Sequence, residues 1–267
     1  MDVHELGQVS KTAAEIYEDF FLPAAFQFWT RPVTAAAQVQ SGDQVLDVAC
    51  GTGVLARAAL NLVGSSGSVT GLDINEGMLE VAKAKAPSIN WQRGDAEALP
   101  FPDNHFDKVL SQFSLMFFNQ KATALKEMAR VAKPGGRLTI AVWASLEQTP
   151  GYVKVRELLN RLFGETAAKS IDAPYALGDA NKLKKLGAEA GLDGMILETQ
   201  IGNIQFDSIE AWMHTEIRGW TLADSISDQD FERLLVEARK DLAPFKLSSG
   251  KVTFDAAAHI IVWQKPV

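Results

Sequence analysis

Cysteine is nearly absent: Cys50 is the only thiol in 267 residues. One thiol cannot close an intrachain disulfide or build a cysteine metal cluster. Its place inside a glycine turn suits a small buried filler. Positive charge is also in deficit. A net charge of -7 argues against the broadly basic surface of a general nucleic-acid binder, while leaving room for a local basic patch. No apolar run approaches membrane-spanning length, and the opening Met-Asp-Val-His-Glu-Leu-Gly-Gln lacks the basic and apolar regions of a signal peptide. A cytoplasmic, reduced setting is the default expectation. No repeat, low-complexity tract or linker divides the chain. What remains is 47% hydrophobic and 22% charged, the balance of an ordinary globule, and long enough for one large α/β domain or for one domain plus a small cap.

Chemistry concentrates in Val45 to Ala56, Val-Leu-Asp-Val-Ala-Cys-Gly-Thr-Gly-Val-Leu-Ala. Val45 to Ala49 reads as a buried parallel strand interrupted by one acid, Asp47. Gly51 and Gly53 then impose a tight turn. Val54, Leu55, Ala58, Ala59, Leu62 and Val63 recur at helical spacing. Strand, glycine turn and helix form the entrance to a nucleotide-type site at the carboxyl end of a first strand. Gly51, Gly53 and Ala56 also fit the shorter dinucleotide fingerprint, so an NAD-dependent oxidoreductase is one alternative. Asp47 opposes it, because a carboxylate repels a pyrophosphate. S-adenosylmethionine carries a sulfonium and an ammonium and no phosphate, so Asp47 suits it by charge. The plainer alternative is that Asp47 only accepts backbone N–H groups at the turn.

Residues 11 to about 40 read as helical, broken near Pro23 and Pro32. Tyr17, Phe20, Phe21, Phe26, Phe28 and Trp29 crowd this segment. Packing on the sheet explains most of them; Tyr17 and Trp29 are the two picked for ligand contact. Ser68 to Leu72 is the second strand, with Asp73 at its tip, 20 residues past Gly53, where an acid can accept from ribose hydroxyls. Asn75 is the better helix cap. Ile74 and Met78 are placed to touch an adenine ring. Ile89 to Gln92 is a third strand, and Asp95 stands just past its end. Lys108 to Ser111 is a fourth strand followed by the apolar loop Gln112 to Phe118. Asn119 can cap the next helix, Lys133 to Gly136 is a hard turn, and Arg137 to Trp143 is a fifth strand. Repeated strand–helix order predicts a mainly parallel sheet.

Four segments together carry a resemblance: Val-Leu-Asp-Val-Ala-Cys-Gly-Thr-Gly; Gly-Leu-Asp73; Gly-Asp95-Ala-Glu-Ala-Leu-Pro-Phe-Pro-Asp-Asn-His-Phe-Asp; and Arg-Val-Ala-Lys-Pro-Gly-Gly-Arg-Leu. Over about residues 40–145 the chain resembles class I S-adenosylmethionine-dependent methyltransferases, especially the ubiquinone/menaquinone biosynthesis subgroup. The resemblance implies a Rossmann-like, seven-stranded, mostly parallel α/β sheet with helices on both faces. It implies that the loop around Ala49, Gly51 and Gly53 cradles the cofactor's methionine part. It further implies that Asp73 holds the ribose, that Asp95 with neighbouring Ala96 meets the adenine amino group, and that Gln112 lies beside the amino-acid end.

Beyond Ala144 the resemblance identifies nothing. Pro150 to Thr166 reads as a helix, Asn181 to Ala190 as another, Met195 to Ile204 as a sixth strand, and Ala256 to Gln264 as a closing strand. Phe206 to about Leu242 reads as a mainly helical insertion. Residues 11–35, 146–180 and 206–250 are expected to form a lid over the strand ends of one domain, 1–267. The expected function is methyl transfer to a small-molecule acceptor. A cofactor-binding protein without transfer is a further alternative, because binding motifs do not report chemistry. Phe117, Phe118, Trp143, Trp212 and Trp220 are expected to line an apolar acceptor pocket. No metal site is expected, no nucleic-acid partner, and no nucleophile paired with a base in the core. His214 is the best available base, and Glu216 and Arg218 share its segment, although a solvated helix face accounts for all three more simply.

Overall fold

The protein is described as a computed structural model covering residues 11–218 and 226–267. Strand β1 (Gln44–Val48) lies centrally because Val45, Leu46 and Val48 leave no apolar surface for water. It pairs in parallel with β2 (Ser68–Asp73) on one side and β4 (Phe106–Gln112) on the other. Asp47 stands opposite Gly71 and Leu110. Outward from these, β3 (Asn90–Arg93) joins β2 and β5 (Ala132–Trp143) joins β4, both parallel. The last strand, β7 (Val252–Gln264), runs antiparallel between β5 and β6 (Ile196–Phe206). The resulting order is β3-β2-β1-β4-β5-β7-β6. The strand order reverses between β1 and β4, so the carboxyl ends of β1, β2 and β4 open a crevice there.

Helices surround this sheet. α3 (Val54–Val63) follows β1, α4 (Glu76–Lys85) follows β2, and α5 (Lys121–Val131) precedes β5. α5 packs beside α8 (Ala180–Glu189). Asn75 caps α4 by accepting the Met78 N–H at 3.2 Å, as its sequence position predicts.

The structure corrects several local expectations. The N-terminal segment does not break at its prolines. α1 (Lys11–Ile16) runs into a π-helical stretch, Tyr17–Phe26, then a 3₁₀ turn, Gln27–Trp29, then α2 (Thr30–Ala37). Pro23 sits inside the wide π turns, which ease the clash a proline ring makes in a tighter α-helix. Pro32 lies in the first turn of α2, where an N–H has no intrahelical partner to lose. Asn119 does not cap α5; Gln120 precedes it with no side-chain cap. Lys133 to Gly136 is drawn into β5, because Gly135 N–H donates to Lys265 O and Lys265 N–H to Gly136 O, each at 2.9 Å. The helix expected to reach Thr166 stops earlier. α6 (Pro150–Phe163) ends at Gly164, whose φ of 81° turns the chain into α7 (Glu165–Asp172). The helical insertion comprises α9 (Ile209–Arg218) and α10 (Asp228–Asp241).

Candidate active site

The turn after β1 needs left-handed backbone at Ala49 (φ 54°), Gly51 (φ 55°) and Gly53 (φ 87°). A Cβ at Gly53 would also run into the Trp91 indole, so sterics and dihedral both require glycine. The end of β2 clamps this turn. Asp73 Oδ2 accepts the Gly51 N–H and Oδ1 accepts the Asn75 N–H, both at 2.8 Å. Burial raises the Asp73 carboxyl above its ordinary range, while these backbone donors pull it down.

Asp47 is 1% exposed. Among the described residues its Oδ2 has no hydrogen-bond partner, and neither has Gln112 Oε1. Burial pushes the Asp47 carboxyl up to about 8; the Ala56 N–H lowers it, and the nearby Asp73 charge raises it further. Gln112 is held by its other end, Nε2 donating to Phe26 O at 3.2 Å. Two buried acceptors thus lack donors at one place.

Both line a pocket of empty volume ≈ 940 Å³. Of the residues expected at the cofactor, Tyr17, Asp47, Ala49, Gly51, Asp73, Ile74, Met78 and Gln112 line it together. Gly53, Trp29, Asp95 and Ala96 do not. Gly53 lies against Trp91. Trp29 is fully buried and meets Phe113 and Trp143 edge-on, a supporting layer behind the wall. Asp95 is exposed and accepts the Glu97 N–H at 2.8 Å, closing its own turn, while Ala96 is buried in the core. Sequence reasoning missed Cys50, Val54, Leu55, Phe113 and Ser114 on this wall. The Phe113 backbone, at φ 53°, gives no sequence signal.

A second pocket, of empty volume ≈ 700 Å³, lies beside the first. Tyr17, Phe113 and Phe117 border both. The π-helical stretch supplies Phe21 and Phe26 to it, β5 supplies Trp143, α6 supplies Tyr152, the turn after α7 supplies Tyr175, and α9 supplies Glu216. Phe113 and Trp143 stack at 4.0 Å between ring centroids.

The expected acceptor-pocket residues divide. Phe117 and Trp143 line the second pocket, but Phe118 lines only the first. Trp212 is fully buried, stacked on Phe206 at 5.5 Å and edge-on to Tyr152, so it backs the wall. Trp220 lies outside the described residues. His214 is exposed and lines neither pocket; its ring faces Phe231. Two residues along a helix reverse the side-chain direction, so the inward place falls to Glu216, which is buried. The solvated-face reading therefore fails at Glu216. Arg218 bridges to Asp228 at 2.6 Å and lies over the Phe231 ring.

Residues 45–136 match the methyltransferase domain family. A demethylmenaquinone methyltransferase of Staphylococcus epidermidis is 37% identical over 190 residues, covering 66% of this chain and 78% of that protein. The chain belongs to the class I S-adenosylmethionine-dependent methyltransferases. The ubiquinone/menaquinone biosynthesis C-methyltransferase UbiE of Pseudomonas paraeruginosa is 33% identical to this methyltransferase over 224 residues, covering 74% of this chain and 88% of that one. Two solved structures share its fold. One is the YcgJ protein of Bacillus subtilis (TM-score 0.58, 20% identity, 89% of this chain and 98% of that one). The other is a phosphoethanolamine N-methyltransferase 2 of Haemonchus contortus with S-adenosylhomocysteine bound (TM-score 0.64, 18% identity, 100% and 60%). The cofactor of this methyltransferase is S-adenosylmethionine. The first pocket fits its charge: the donorless Asp47 Oδ2 and Gln112 Oε1 match an ammonium, which has only donors to give. Membership of this family, rather than the charge of the pocket, removes the NAD alternative.

Proposed function

We propose that this methyltransferase acts on an apolar, ring-bearing small molecule seated in the aromatic pocket. The observation that carries the reading is the shared wall: Tyr17, Phe113 and Phe117 border both pockets, so occupants of the two would meet there. The relatives' names refer to demethylmenaquinone and to ubiquinone/menaquinone biosynthesis, and a quinol-type ring is the class that an aromatic lining favours. A cytoplasmic setting belongs to the same proposal, by analogy with those bacterial enzymes.

When bound, S-adenosylmethionine supplies a methyl group on a cationic sulfur, already a good leaving group. In this reading Asp47 and Gln112 hold its amino-acid end, Asp73 its ribose, and Ile74 and Met78 its adenine. Asp95 and Ala96 reach the adenine only if their loop adjusts. Phe26, Phe113 and Trp143 orient the acceptor ring and exclude water, and orientation and desolvation supply most of the rate. Segments 11–35, 146–180 and 206–250 each give the aromatic pocket at least one wall residue, which supports their reading as one lid.

The test is incubation with methyl-labelled S-adenosylmethionine and a panel of 1,4-naphthoquinol, simple phenols, amines and carboxylates. Label on the quinol or phenols is expected. Label on amines or carboxylates alone would overturn the reading.

A further inference from the structure

An acceptor pocket built only for shape would contain no charge. Glu216 stands in its wall, 7% exposed, and is the one Asp, Glu, Lys or Arg there among the described residues. No cation pairs with it among those residues; its hydrogen bond is from Tyr152 Oη to Oε2 at 2.8 Å. Burying a carboxylate among aromatic rings with so little compensation is costly. Such a cost persists where the group is used.

The surroundings hold this carboxylate in one place. Tyr152 is itself buried, edge-on to both Trp212 and Phe254. It occupies Oε2 and leaves Oε1 without a donor among the described residues. The titratable groups facing Glu216 are Tyr152 from α6 and Tyr175 from the turn after α7, and burial, with the Glu216 charge, raises both phenols. Neither phenol competes as a base. Burial also lifts Glu216 itself to about 7, with the Tyr152 hydrogen bond pulling the other way. A carboxyl poised there accepts a proton far more readily than an ordinary surface glutamate.

We propose that Glu216, positioned by Tyr152, is the proton acceptor for the methyl acceptor, and that the pocket selects substrates with an ionisable hydroxyl on an aromatic or enolic system. This rests on the proposed assignment of the aromatic pocket to the acceptor. The substrate O–H bond breaks, its proton goes to Glu216 Oε1, and the electron pair stays on the substrate, spread over oxygen and ring carbon. That pair is what the methyl group is transferred to. The proton returns to solvent when the product leaves.

Binding of 4-nitrophenol, whose absorbance reports its own ionisation, tests this without turnover. It is measured from about pH 6 to about pH 9 in the intact protein, in Glu216→Gln and in Tyr152→Phe, with S-adenosylhomocysteine affinity measured in each. The wild type should bind the probe while the phenol and Glu216 hold at least one proton between them, and lose about tenfold in affinity or more as pH rises and both ionise, because phenolate and carboxylate repel. Glu216→Gln should keep its affinity at the alkaline end. Tyr152→Phe should move the wild-type midpoint upward, which loss of packing alone would not do. Identical pH profiles in wild type and Glu216→Gln would overturn the proposal, as would a wild type that ignores the probe while binding S-adenosylhomocysteine. A wild type that fails to bind S-adenosylhomocysteine would instead overturn the assignment of the first pocket.

Discussion

Asp73 Oδ2 accepts the Gly51 N–H at 2.8 Å, so the acid closing β2 also fixes the turn that closes β1. One carboxylate shapes the glycine loop and, in the proposed site, holds the ribose. Removing it affects both. Asp73→Ala should weaken S-adenosylhomocysteine binding at least about tenfold and lower the melting temperature as well, because each bond to a charged acceptor is worth roughly 1.5–3 kcal/mol. Calorimetry and thermal melts on the same samples check this. Unchanged affinity in a folded variant would show that the ribose lies elsewhere.

Asp47 gives a pH signature. Its folded value is raised, to about 8, above that of the unfolded chain. The folded state therefore holds a proton that the unfolded state releases, and ligand-free stability should fall as pH rises from about 4 through about 8. Asp47→Asn should flatten that slope. A bound ammonium favours the carboxylate, so below about pH 8 cofactor binding should expel a proton. Calorimetry in buffers of different ionisation enthalpy measures it; proton uptake would contradict the assignment.

Glu18 in the π-helical stretch meets Arg57 of α3 at 2.8 Å, and Arg57 also donates to Thr52 O at 2.6 Å. The pair ties the N-terminal segment to the glycine turn. Its Glu18 carboxylate is largely buried, so Arg57→Ala should leave a costly unpaired charge. Hydrogen exchange should then quicken in residues 13–35 and slow again with S-adenosylhomocysteine bound. Protection gained only in residues 45–115 would refute the shared lid.

Trp143 and His214 should behave oppositely. Trp143 stacks on Phe113 in the acceptor wall, so Trp143→Ala should slow transfer while S-adenosylhomocysteine affinity stays within a few fold. His214 is exposed, and His214→Ala should leave transfer within a few fold. A loss of about 10²–10⁴, the usual scale of general acid–base catalysis, would put the base at His214 instead. Rates with any acceptor from the labelled-cofactor panel decide it.

The parallel core was legible because its signals are local: an apolar run at Val45 to Ala49, glycines at 51 and 53, and acids at the strand tips. The tertiary parts were not. Trp29 and Trp212 look like pocket aromatics in sequence, yet close packing from several elements buries both. Pro23 reads as a helix breaker unless the wide turns around it are known. On α9, His214 and Glu216 are equally plausible by spacing. Which one turns inward depends on the contacts α9 makes with β6 and the π-helical stretch, and the sequence does not contain those contacts in readable form.

The most direct measurement is a crystal structure with S-adenosylhomocysteine bound. The expected density places its amino group against Asp47 and Gln112, its ribose hydroxyls on Asp73, and its sulfur toward the Tyr17–Phe113–Phe117 wall, with the aromatic pocket left for the acceptor. Nucleoside density inside the aromatic pocket, or an Asp73 turned away from the ribose, would contradict the site.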